Sequence, residues 1–508
     1  MENDSQRRGR PDRTGHQGEH SAASEVLLCV ACAAVLSAAF LWFCQRRGYT
    51  LYYGDAASHI NIARRIADSR APGYEQIGTV WLPLPHALMA PLVRYDRLWR
   101  TGLGGAIPAA AFFVAGAGFL YAAVRRATGS RAAALTAAAV WALNPNLLYL
   151  QAAPMTEPIF LGCLAAAVYF AVRLQAAAAG AALLAASLTR YDGWFLIPFF
   201  VLYFWTARSW RAAAVAAAVA SLGPLYWLAH NYYLYSDALE FYRGPHSALA
   251  IYARGASHPG DHDLRTAWLY YRQAIELTLG RPLLWIGAAG VAAAMTRRAT
   301  RPLVLLALPV PFYILSIHSG GAPIHVPSLF PFTYYNTRYG LAALPACAAA
   351  AGVVVALARS SWLRGPAAAM VLAVSLGGWF LRPSVQSWIC WKESEVNSRG
   401  RRAWTDQAAG FFARAYRPGD GILTAGGDVL AVYQAAGIPL RETLNDASGP
   451  AFLPAVLRPD LFLREQWVVA IAGDAVSSRL KTAPALFERV AQFTAHREPV
   501  IEIYRKVQ

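Results

Sequence analysis

Charge is scarce in this chain. Of 508 residues only 15% are Asp, Glu, Lys or Arg and 56% are hydrophobic, whereas a soluble domain carries about 25% charged residues. Cysteine is scarce as well. Cys29, Cys32, Cys44, Cys163 and Cys347 lie in or at the ends of apolar runs, and Cys390 has no obvious partner, so no disulfide scaffold is expected. There is no Walker loop, no dinucleotide-binding glycine pattern and no HExxH, which argues against a nucleotide-driven pump or a zincin.

The net charge of +17 would suit nucleic acid if it formed a patch on a polar domain. It does not. Residues 383–508 hold 15 Lys and Arg against 13 Asp and Glu, a net of +2, leaving +15 spread through the apolar part. There, arginines in loops are a topology signal rather than a nucleic-acid footprint.

Long apolar runs are what the chain has in abundance. They fall near 24–44, 102–124, 132–150, 157–173, 174–189, 193–207, 212–230, 275–295, 302–318, 339–358 and 366–382. The pattern predicts an α-helical polytopic membrane protein of about eleven transmembrane helices. Residues 1–23 read as a disordered cytoplasmic tail, and the first run as an uncleaved anchor. With the N-terminus inside, the inner loops hold Arg125, Arg126, Arg131, Arg173, Arg208, Arg211, Arg297, Arg298, Arg301, Arg359 and Arg364 and no acidic residue. The opposite loops hold Asp55, Asp68, Glu75, Glu157, Asp192, Asp237, Glu240, Asp261 and Asp263. This positive-inside pattern predicts a cell-membrane protein whose acidic loops and C-terminal tail face outward.

Three outer segments are long enough to fold: 45–101 and 231–274, both within a membrane domain of 24–382, and the tail 383–508. In the first, Ile60, Ala63, Ile66 and Ala67 share one face of a helix opened by Asp55, a pattern suited to lying in the membrane interface. In the tail, strands are expected at Ile422–Thr424, Trp467–Ala472 and Val500–Tyr504, and helices at Ala403–Ala415 and Pro484–Phe493, which together read as a small α/β domain.

Ionisable residues abutting apolar spans are costly and therefore functional candidates. Asp55 is one: as a carboxylate in a partly desolvated cleft it can act as a general base, although Asp at a helix start is also a good N-cap. Glu157, in Thr156-Glu157-Pro158, is a second carboxylate at the same depth, or equally a dipole-favoured first-turn residue. Arg190 and Asp192 join two spans and form either a solvated turn pair or part of a cavity wall. Arg338, in Asn336-Thr337-Arg338-Tyr339, opens a span on the side where positive charge is disfavoured. A guanidinium there suits bidentate phosphate binding, the alternative being snorkelling beside Tyr339. His59 falls four residues after Asp55, so the two share a helix face and can join in holding a metal. His86, His246, His258, His262, His318 and His325 are scattered through the outer loops without metal-site spacing.

Taken in this order, an acidic first loop, Thr-Glu-Pro, Arg-Tyr-Asp and Asn-Thr-Arg-Tyr, the chain resembles the GT-C glycosyltransferases, in particular the protein mannosyltransferase and aminoarabinose transferase branch. The resemblance spans most of 24–382. It implies a polyprenyl-phosphate-linked sugar donor bound from the bilayer and inverting transfer to an extracytoplasmic acceptor hydroxyl on protein, lipid or glycan. It implies Asp55 as the catalytic carboxylate, Glu157 as the second-loop carboxylate, and Arg338, with Arg190, on the donor phosphate. His59, His86, Asp192 and Tyr339 are then substrate-facing candidates. A divalent metal is left open, and no nucleotide cofactor is implied. Several relatives pair Asp with Glu in the first loop, whereas Ala56 follows Asp55 here. Two other readings are a flippase for lipid-linked sugar, which would show mid-span charges and repeated halves, and a non-catalytic cell-envelope scaffold.

Overall fold

A computed structural model describes residues 13–253, 257–480, 484–495 and 498–507. Among them, six helices are long and apolar enough to cross a membrane: Ala23–Arg46, Leu103–Thr128, Trp210–Tyr235, Arg301–His318, Thr337–Ala356 and Ser361–Leu381. Two further runs are bent pairs, Arg131–Ala142 with Pro145–Gln151 at 61° and Leu264–Leu279 with Arg281–Thr296 at 109°. The runs at 157–173, 174–189 and 193–207 are shorter apolar helices, Glu157–Val172, Ala176–Ser187 and Asp192–Ala207. Each apolar run of the sequence therefore has a helical counterpart, but not always a single straight span.

The bends have local causes. Asn144 caps the second half of the first pair, accepting from the amides of Asn146 and Leu147 at 3.0 and 3.1 Å, and Pro145 occupies the first helical position. The other corner is Gly280, at φ 82°, with Pro282 just beyond. Glycine takes that conformation at no steric cost, and proline opens the next helix. The run expected as one span at 275–295 accordingly straddles the corner.

The tail does not begin as an independent unit. A helix of 27 residues, Ile389–Ala415, follows the last span. Its first turn packs Ile389, Cys390 and Trp391 into the membrane core, while Trp404, Ala408 and Phe412 further along enter a second core. That second core is built on a five-stranded sheet of the described residues: β1 (Ile422–Thr424), β2 (Thr443–Leu444), β3 (Trp467–Ile471), β4 (Phe487–Phe493) and β5 (Ile501–Lys506). The strand order is β2-β1-β3-β5-β4, with β1 parallel to β2 and β3, and β5 antiparallel to β3 and β4. The stretch expected as a Pro484–Phe493 helix is instead mostly β4. Its phenylalanines and Val490 suit a strand, and pairing with β5 decides the matter.

Two other expectations change. Residues 1–12 of the expected tail lie outside the described residues, and from Arg13 the chain is already helical, continuous with the first span. The amphipathic helix Gly54–Arg65 does not turn its apolar face to lipid. Ile60 and Ala63 are fully buried in one core with Trp99, Trp404, Phe412, Tyr433 and Ile501. Polar contacts fasten the same junction. Asn61 accepts from the Trp99 indole at 2.8 Å, Gln434 donates to the Trp99 carbonyl at 2.7 Å, and Asp68 pairs with Arg64 at 2.7 Å and Arg441 at 3.1 Å. The C-terminal unit thus covers the helix that carries Asp55 in its first turn. Ile60→Asp, which buries an unpaired charge in this core, is expected to cost about 3 kcal/mol or more. The readout is faster protease cleavage within residues 416–508; an unchanged digestion rate would contradict the packing.

Candidate functional site

The short helix Gly54–Arg65 presents Asp55 in its first turn. Tyr53, not Asp55, is the N-cap residue, and its side chain makes no capping bond. The Asp55 carboxylate is therefore not spent on the helix end. It is 41% exposed and accepts from Nη2 of Arg338, whose side chain is only 8% exposed. Arg338 in turn donates through Nε to Glu157 Oε1 at 3.0 Å and through Nη1 to Glu393 Oε1 at 3.4 Å. One guanidinium thus faces three carboxylates, drawn from the Gly54–Arg65 helix, the start of the Glu157–Val172 helix and the Ile389–Ala415 helix.

Arg190 extends the array. Its Nη1 donates to Thr156 Oγ1 at 3.0 Å and Glu157 Oε1 at 3.3 Å, its Nη2 to the Tyr313 hydroxyl at 2.8 Å, and its Nε to Asp192 Oδ2 at 3.4 Å. The Tyr313 hydroxyl in turn donates to Asp192 Oδ2 at 2.8 Å. The Tyr339 ring lies 5.2 Å from the Arg190 guanidinium and 5.0 Å from that of Arg338, and the Tyr53 ring is 5.0 Å from Arg338 on another side. Planar cations over aromatic faces lose less on desolvation than bare ions. Asp192 and Arg190 are therefore not a solvated turn pair but part of one buried network. Arg338 is not a snorkelling residue.

Two cavities meet at this network. The larger, about 890 Å³, opens between the segments 45–101 and 231–274 and the C-terminal unit, and its walls include Tyr52, Asp55, Tyr252, Arg338, Arg401 and Asp446. The smaller, about 230 Å³, lies deeper and is lined by His59, Trp81, Thr156, Glu157, Arg190 and Tyr313 among others. Asp55, Trp81, Arg338 and Tyr339 border both. The structure therefore brings together Asp55, Glu157, Arg190, Asp192, Arg338, Tyr339 and His59.

His86 it does not bring to the surface of either cavity. It is fully buried behind His59, with Nε2 3.0 Å from His59 Nδ1. Burial pulls His59 down to about 3 and also lowers His86, so both rings are neutral near pH 7. Among the described residues no group of three or more His, Cys, Asp or Glu is placed to hold a metal ion. Where three carboxylates converge, the Arg338 guanidinium occupies the space between them.

Glu393 is the functional candidate that the sequence reading missed. It sits in the tail, whose tertiary return to the site no local pattern discloses. The available signal was a carboxylate close behind Ile389, Cys390 and Trp391 just beyond the last span. Glu393 is 1% exposed and its Oε2 accepts from the amide of Thr337 at 2.7 Å and from the Thr337 hydroxyl. Burial raises its pKa above the ordinary carboxylate value, with Arg338 and Thr337 opposing. A raised native pKa means that the folded chain binds more protons than the unfolded one just above the ordinary carboxylate range, so stability falls as pH rises through that window. Glu393→Gln is expected to remove this dependence. Its melting temperature relative to wild type should climb with pH and then level off; a gap that stays constant across pH would contradict the assignment.

No protein-family model matches the chain, and no curated protein matches its sequence. Solved structures do match. ArnT from Cupriavidus metallidurans, crystallised with undecaprenyl phosphate, aligns at a TM-score of 0.58 and 16% identity over 94% of this chain and 97% of its own. The apo crystal structure of the same protein aligns at 0.55 and 15% identity, covering 95% and 98%. The chain has a GT-C fold. The GT-C likeness runs through the C-terminal unit as well as the membrane helices, since both chains are covered almost end to end. At this identity the likeness establishes the GT-C architecture alone, and the chemistry has to be argued from the site.

Proposed function

We propose that the protein is a membrane glycosyltransferase that moves a sugar from a polyprenyl-phosphate donor to an acceptor hydroxyl on the outer face of the membrane. The observation that carries this reading is Asp55. It is a half-exposed carboxylate held by a buried arginine at the point where two cavities join. A base placed there can serve a hydroxyl in one cavity while the carbon it attacks is held in the other.

In the proposed step the acceptor oxygen bonds to the anomeric carbon as Asp55 takes the hydroxyl proton. The bond from that carbon to the phosphate oxygen breaks, and polyprenyl phosphate leaves with the electron pair. Displacement is single, so the anomeric configuration inverts. Arg338 holds Asp55 in place, and with Arg190 it offsets charge gathering on the leaving phosphate. Glu157 fixes both guanidiniums through one oxygen. The crystal structure of ArnT with undecaprenyl phosphate supports a lipid phosphate as the partner of this fold. The positive-inside pattern supports an outward-facing site and C-terminal unit. The charged network sits at helix ends and in loops rather than at mid-span, unlike the flippase expectation.

The test is direct. Purified protein in nanodiscs is given a panel of undecaprenyl-phosphate sugars with outer-envelope acceptors, and release of undecaprenyl phosphate is followed. The expected result is turnover of at least one donor with a glycosylated acceptor; no turnover across the panel, by protein shown to be folded, would overturn the reading.

A further inference from the structure

The site carries four carboxylates, Asp55, Glu157, Asp192 and Glu393, against two guanidiniums, Arg190 and Arg338. Every nitrogen of those two guanidiniums already faces a carboxylate, a tyrosine or a threonine oxygen. A phosphate brought into this surplus of negative charge needs another cation beside it.

One is present in the lining of the larger cavity. Arg401, on the Ile389–Ala415 helix, is 7% exposed and lines the cavity that Asp55 also borders. Its Nη2 donates to the carbonyls of Leu51 and Tyr52, at 3.4 and 2.8 Å, in the turn that leads into the Asp55 helix. Among the described residues it makes no ion pair. Asp428, Glu498 and Asp55 are near enough to be felt but do not reach it, and burial pulls its pKa below the usual guanidinium value. A buried arginine held only by backbone carbonyls, facing a cavity, is a charge awaiting its counter-ion. Arg402 does not share this state. It lies over the Tyr52 ring at 3.9 Å and donates to Ser398 at 3.0 Å.

We propose that Arg401 is the cationic subsite for the phosphate of the lipid donor, in the cavity it shares with Arg338. This deepens the proposed function and rests on its choice of a lipid-phosphate donor. Sequence reading passed over the residue because it lies in the polar tail. The folded chain brings it to the site because the same helix supplies Glu393, two turns earlier.

The experiment is a titration of purified full-length protein with undecaprenyl phosphate, with undecaprenol and with inorganic phosphate. Wild type is expected to bind the phospholipid at least tenfold more tightly than the alcohol. Arg401→Gln should lose that preference while binding undecaprenol unchanged. Asn397→Asp should lose it too. This exposed position lies four residues earlier on the same face. The Asn397 amide donates to the Tyr334 carbonyl at 2.8 Å rather than to Arg401; a carboxylate there is expected to offset the Arg401 charge while its carbonyl contacts remain, so the result stands even if Arg401→Gln fails to fold. Arg399→Gln, which breaks only an exposed pair with Glu395, should behave as wild type. Retention of the preference by Asn397→Asp, or by folded Arg401→Gln, would overturn the Arg401 assignment alone. Inorganic phosphate binding as tightly as the lipid would assign Arg401 to a free anion and overturn it as well. Absence of any preference in wild type would instead sink the lipid-phosphate donor itself.

Discussion

Asp55→Asn is expected to lower sugar transfer by about 10²–10⁴-fold, the usual worth of a positioned general base, with little change in thermal stability. The amide is nearly isosteric and still accepts from Arg338, so the pocket keeps its shape. What is lost is the ability to take a proton. Stability should hold because Asp55 is the most exposed of the three carboxylates on Arg338, and the other two remain. The effect should fall on kcat more than on KM, because the proton moves only as the new bond forms. A variant that transfers sugar at the wild-type rate would place the base elsewhere and leave the Asp55–Arg338 pair as a structural contact.

Arg338→Ala should do damage of a different kind. It removes the one group on which Asp55, Glu157 and Glu393 converge and leaves two of those carboxylates buried. Glu157 retains only the longer contact with Arg190, and its Oε2 is already buried without a partner among the described residues. Breaking a buried charge network from one side costs about 3–5 kcal/mol, which should appear as a large fall in melting temperature in detergent along with loss of transfer. Arg338→Lys is expected to recover only part of either, because one ammonium cannot meet three carboxylates in different directions or lie between the faces of Tyr53 and Tyr339. Unchanged melting of Arg338→Ala would contradict the network as drawn. The two variants therefore separate roles: one is expected to be stable and inactive, the other unstable and inactive.

How much of this could be read from the amino acids depends on how local each signal is. Apolar length and the arginine bias of alternate loops need no tertiary knowledge, and every apolar run found a helical counterpart. The carboxylates Asp55, Glu157 and Asp192 and the arginines Arg190 and Arg338 stood out because charge beside apolar spans is costly wherever the chain folds. What failed were inferences about what covers a surface. The Ile60–Ala63 face looks the same whether lipid or protein meets it, and here Trp404, Phe412 and Tyr433, more than 340 residues away, do so. The same distance hid Glu393 and Arg401. Their helix reads as ordinary soluble protein, and only the packing of Cys390 and Trp391 into the membrane core turns its polar face toward Asp55. The strand Phe487–Phe493 was missed for a related reason: the pairing with β5 that decides for a strand is made across a loop and is not a local signal.

The anomeric configuration of the product is the most direct test of a single displacement assisted by Asp55. It is read by NMR after transfer from an undecaprenyl-phosphate sugar of known configuration. Complete inversion is expected in wild type. Retention would require a covalent sugar intermediate on a carboxylate of this site and would contradict the role assigned to Asp55.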